Sequence, residues 1–162
     1  MPLLGVTFPQ VVVAIHVMAV VVAFGITFAY PVILVVGRRR EPRAMPWFHR
    51  MQKALGRRLT NPGLAVVVVA GIYLATDMHL WSHFFVQWGL GVALVLGTLE
   101  GSFMIRYAGR LADLAERDIA AAGEGKVEFS GEYELLFRRV CVVAGVMGLL
   151  VLATIYVMVV NS

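Results

Sequence analysis

All fourteen lysines and arginines of this 162-residue chain fall in two stretches, eight within residues 38–58 and six within residues 106–139, with apolar runs on either side. From Val11 to Val36 there is no Asp, Glu, Lys or Arg, which exceeds the ~20 residues a helix needs to cross a bilayer. A second run covers Gly63 to Thr76 and is prolonged by Met78 and Leu80. A third covers Phe84 to Ile105, broken only by Gln87 and Glu100, and a fourth covers Val140 to Val160 without a formal charge. Only helices or closed barrels satisfy the backbone in hydrocarbon, and barrel strands alternate over ~10 residues, so runs this long predict helices. The 60% hydrophobic and 15% charged composition departs from the about 45–50% and about 25% of soluble domains. A soluble core of this size has too little interior to hide that excess. Soluble enzymes, disordered chains and disulfide scaffolds are excluded on these grounds, and lone Cys141 completes no zinc pattern.

The expected fold is therefore an all-α polytopic membrane protein, a single domain over 1–162 built as a four-transmembrane-helix bundle. Its spans are placed at about 11–36, 63–80, 84–105 and 140–160. A cleaved signal peptide fits the first run poorly, because no basic leader precedes it and it exceeds the ~7–15 residues of a signal core. The positive-inside rule assigns the basic segments 37–62 and 106–139 to the cytoplasm and both termini to the outside. The expected location is the inner membrane. A pI near 9.6 then reports topology and contact with anionic lipid at segment 38–58, and no nucleic-acid motif accompanies it.

Phe48, Met51, Leu55 and Leu59 recur at helical spacing among basic residues, which predicts an amphipathic helix lying among headgroups. Asn61-Pro62-Gly63 reads as a break, with Asn61 capping the second span. Leu111, Leu114, Ala115 and Ile119 carry the third helix beyond the membrane until Gly123-Glu124-Gly125, and Glu132 and Glu134 suit the first turn of the fourth. Gly97 and Gly101 form a GxxxG, a close-packing signal within the bundle or between copies in a homo-oligomer.

The residues that lipid tolerates least are the informative ones. His16 lies six residues inside the first span, and an ionisable group there is a functional candidate. Asp77 and His79 end the second span, and His83 opens the third. Three of the four histidines thus share the outer half of the bundle, and His49 is the exception. Imidazole suits haem iron or a transition metal when a second-shell acceptor orients it, a role open to Asp77. His16, His79 and His83 are the cofactor-binding candidates, with Asp77 added if a metal is held instead. Beside Trp81 and Trp88, His79 and His83 also fit an aromatic belt. Glu100, the only acid inside an apolar run, is a candidate proton or ion site, although Arg57, Arg58 and Arg106 offer it a structural pair. Tyr30-Pro31 sits where it can line the same region, a proline being tolerated where neighbours meet the freed carbonyl.

Ala14-Ile15-His16-Val17, and Asn61-Pro62-Gly63-Leu64 leading into Ala70-Gly71-Ile72-Tyr73-Leu74, bring a family to bear. With four spans in this length the chain resembles a bacterial membrane family known as a domain of unknown function. That family is related to the CopD-like copper-resistance and HemJ-like protoporphyrinogen-oxidase membrane proteins. The resemblance implies haem b on a first-span histidine, here His16, or copper handled by outer histidines; any enzyme would be a haem-dependent membrane oxidoreductase. HemJ-like chains also carry a lysine and a histidine in the third span. Val86-Gln87-Trp88-Gly89-Leu90 through Thr98-Leu99-Glu100 has neither, and the uncharacterised relatives match better. The competing expectations are an oligomeric transporter or channel subunit using Glu100, and a ligand-free accessory protein.

Overall fold

The computed structural model describes residues 5 and 7–161. Its helices are α1 (Phe8–Arg40), α2 (Met45–Leu55), α3 (Asn61–Asp77), α4 (Phe84–Thr98), α5 (Ile105–Ala122) and α6 (Gly131–Asn161). No strand occurs among the described residues. Two π-helical turns, Gly56–Thr60 and Leu99–Met104, join α2 to α3 and α4 to α5. Four helical rods result, spanning Phe8–Arg40, Pro42–Asp77, Phe84–Ala122 and Gly131–Asn161, each long and apolar enough to cross a membrane. The chain is a multi-pass membrane protein. Val21, Val69, Leu94 and Leu149 are more than 60% exposed on its flanks, which costs nothing where the solvent is lipid.

Each rod outruns the ~20 residues of the hydrocarbon layer, and the excess forms a packed extension at the basic end. There α2 lies against α5, burying Leu111, Leu114 and Ala115, with Phe48, Met51 and Leu55 packed against the same core. The apolar stripe of α2 therefore packs against protein, on α5 and, through Phe48, on Gly37 of α1. Trp47 and Leu59 stay exposed, and Arg50 pairs with Glu116 of α5 at 2.7 Å. Gly123, at φ +54°, ends α5. Arg43 Nη2 donates to the carbonyls of Gly123 at 2.7 Å and Gly125 at 2.8 Å. Asp118 Oδ2 accepts the Ser130 N–H at 2.8 Å, which docks the start of α6. Glu132 and Glu134 do occupy its first turn and pair with Arg110 and Arg38.

Asn61-Pro62-Gly63 is not a break, which corrects the sequence expectation. Asn61 has helical dihedrals and gives its N–H to Gly56 rather than to Arg57. Pro62 has no N–H for the carbonyl of Arg58, and one wide turn absorbs the mismatch without ending the rod. Gly63 then allows α1 and α3 to touch: a Cβ on it would stand 2.9 Å from that of Ala23.

Candidate functional site

Both π-helical turns meet at one level of the bundle, and Glu100 lies between them. Its Oε1 fills the space where a side chain at Gly56 would begin. The carboxylate borders a cavity of about 40 Å³ that is also lined by Thr27, Tyr30, Gln52, Thr60 and Cys141. A water needs roughly 10–15 Å³ by the same measure, so this is room for two or three small species. Five lining side chains carry oxygen and none is Lys, Arg or His. The structural pair considered for Glu100 is not made: no ion pair or hydrogen bond joins it to Arg57, Arg58, Arg106 or any other described residue.

The backbone around the cavity is interrupted on three sides. Pro31 of α1, another lining residue, has no N–H for the carbonyl of Thr27. The second wall is the Gly56–Thr60 turn. The third is Leu99–Met104, where Ile105 gives its N–H to Glu100 and the Ser102 hydroxyl bonds the carbonyl of Thr98. Irregular backbone at membrane depth is tolerated where it lines a cavity or is buried in protein, and π-turns concentrate at functional sites.

Behind Gln52 stands His49, fully buried one turn earlier. His49 Nε2 and the Tyr133 hydroxyl are 2.9 Å apart, while His49 Nδ1 and Gln52 Oε1 are both buried and have only each other as partners. With Tyr133 donating to Nε2, the imidazole hydrogen sits on Nδ1, the complement of the amide oxygen. The reverse tautomer would set two acceptors facing each other. The Tyr30 hydroxyl donates to the carbonyl of Phe48 at 3.0 Å and ties α1 to the same helix. His49 and Gln52 escaped the sequence reading because hydropathy is blind to a polar stripe outside the spans. The Met45, His49, Gln52, Gly56 spacing was the available signal.

At the opposite end the histidines are separate. His16 Nδ1 donates to the carbonyl of Val67 at 2.9 Å, and its ring lies in the notch left by Gly71, where a Cβ would stand 3.3 Å from Cε1. The two stretches behind the family resemblance therefore touch. This bond leaves Nε2 as the nitrogen with a free lone pair. The adjoining cavity is about 60 Å³ and apolar, lined by Val20, Val92 and Leu96 among others. It is far below the roughly 300 Å³ of an ordinary cofactor pocket, so a porphyrin does not fit inside it. His79, at φ +55°, occupies the turn, and His83 precedes α4 with its ring against Phe85. Asp77 accepts the Tyr73 hydroxyl at 3.5 Å rather than a histidine. Among the described residues no three His, Cys, Asp or Glu side chains gather as a metal site. Gly97 packs against Leu64 of the same chain, whereas Gly101 has nothing within 4 Å; the π-turn between them turns them to different faces.

Comparison with family models, curated proteins and solved structures finds no match to the chain.

Proposed function

We propose that this is an inner-membrane transport or channel subunit in which Glu100 binds and releases a proton or small cation. The observation that carries the reading is a half-buried carboxylate without a basic partner, bordering a largely apolar cavity where three helices lose regular backbone pairing. Interrupted helices build ion sites in transporters for this reason, and an intramembrane acid costs too much to keep without a use. The basic end faces the cytoplasm and both termini face outward, with anionic lipid against segment 38–58. One copy encloses only about 40 Å³, so a continuous path requires further copies or a partner. Reconstituted in liposomes, the chain dissipates an imposed proton or cation gradient, and Glu100→Gln slows that flux at least tenfold. Equal flux from wild type and variant overturns the proposal.

The second reading is haem held by His16. Its support is the bond from Nδ1 to Val67, which fixes the tautomer as second-shell acceptors do for ligating histidines. Because the enclosed space is too small, the macrocycle would lie on the lipid-facing side of α1 and α3. A Soret band in purified protein that His16→Ala abolishes supports this reading, and a colourless preparation from haem-replete cells overturns it.

A further inference from the structure

We propose that Arg57, Arg58 and Arg106 form a recessed site for the phosphate of an anionic phospholipid of the cytoplasmic leaflet. This rests on the proposed membrane placement, is independent of what Glu100 binds, and narrows a diffuse basic segment to three side chains from two rods.

The depth of these arginines follows from contacts across the bundle. Gly56 borders the same cavity as Thr27, Tyr30 and Pro31 of α1 and Cys141 and Ala144 of α6. Arg57 and Arg58 come next in the chain. Arg106 follows Ile105, whose Cγ1 stands 3.1 Å from the position of a Cβ on Gly56. On α1 the first cation, Arg38, comes seven residues after Pro31, ~10 Å farther along the helix. At the level of the cavity α1 and α6 instead present Phe28, Val32 and Val142, all exposed and apolar. Basic side chains therefore begin deeper in the layer beside α2 and α5 than beside α1.

Arg57 and Arg106 lie along one seam. Lys53, one turn before Arg57, rests against Gly109, one turn after Arg106: a Cβ there would stand 3.0 Å from Nζ. Arg58 adds to the seam from the next position. All three arginines are exposed, and none makes an ion pair or hydrogen bond with a described residue. Farther into the basic end the arginines are committed, Arg50 to Glu116, Arg110 to Glu132, Arg117 to Asp118 and Arg43 to two carbonyls.

A guanidinium at this depth is costly unless it snorkels or draws the headgroup layer inward. Its planar fork matches phosphate oxygens two at a time. Charge selects the lipid. A zwitterionic headgroup brings its own ammonium and leaves the excess positive charge standing, whereas an anionic one neutralises it.

The full chain in detergent is mixed with phosphatidylglycerol or phosphatidylcholine of the same acyl chains, and bound lipid is followed by native mass spectrometry. Phosphatidylglycerol is expected to bind at least tenfold more tightly. Arg57→Gln/Arg106→Gln is expected to lose at least tenfold of that affinity, and Arg39→Gln/Arg40→Gln less than twofold. A phosphatidylglycerol analogue with a photoreactive headgroup covers the case in which the first variant does not fold: in wild type it should label within residues 53–60 and 102–110. Equal affinity for the two lipids, equal losses from the two variants, or labelling confined to residues 37–44 overturns the inference. Displacement of phosphatidylglycerol by inorganic phosphate at matched ionic strength overturns the assignment to lipid. None of these outcomes alters the Glu100 reading, and absent ion flux leaves the lipid site standing.

Discussion

Glu100 and Gly56 share one space: the carboxylate Oε1 occupies the position a Cβ on residue 56 would take, and Ile105 Cγ1 closes in at 3.1 Å from that point. The acid is held between two helices at the level where both widen into π-turns. Glycine at 56 is what allows the carboxylate to reach that level.

Gly56→Ala should therefore displace the carboxylate and overpack the seam, with a cost of about 1–3 kcal/mol and a matching loss of ion flux. Gly101→Ala is the control. Nothing lies within 4 Å of its added methyl, and thermal unfolding in the same detergent should shift by no more than about 0.5 kcal/mol. Equal effects from the two substitutions would show that contact at Gly56 is not what sets the cost.

Gly71 makes the corresponding test at the other end. A leucine there must push the His16 ring from its notch and break the bond to Val67. A stability loss of about 1–3 kcal/mol is expected, with His16 Nδ1 losing its hydrogen-bonded signature in ¹⁵N spectra. Retention of that signature in Gly71→Leu would contradict the packing described for α1 and α3.

Much of this architecture is legible in the sequence because hydropathy reports transfer into lipid residue by residue. The four spans, the turn holding His79 and Ser82, the end of α5 at Gly123 and the acidic first turn of α6 all arise from local chemistry. Asn61-Pro62-Gly63 misleads because a proline without tertiary context reads as a stop, whereas a π-turn carries the rod through it. The π-turn at Leu99–Met104 likewise adds a residue and rotates the helix beyond it by ~100°, so the GxxxG spacing of Gly97 and Gly101 no longer marks one face. Whether α2 meets lipid or α5 depends on a partner helix far along the chain, which periodicity cannot supply. Glu100 and Tyr30-Pro31 were visible as intramembrane oddities; Gln52 and His49 were not, since they lie outside the apolar runs and His49 finds its partner Tyr133 far along the chain.

Arg43 clamps the loop between α5 and α6 through two carbonyls, at Gly123 and Gly125. Arg43→Ala should cost about 1–2 kcal/mol and speed amide exchange across residues 123–130. Arg43→Lys should rescue only in part, because a single ammonium does not reproduce the fork. Full rescue by lysine, or unchanged exchange in Arg43→Ala, would argue against the clamp.

The most direct measurement of the central claim is infrared difference spectroscopy of the protein in lipid as pH or Na⁺ is changed. A carboxyl band that responds to either and vanishes in Glu100→Gln is the predicted result. A spectrum identical in wild type and Glu100→Gln under every condition would contradict it, since Glu100 would then exchange no ion at all.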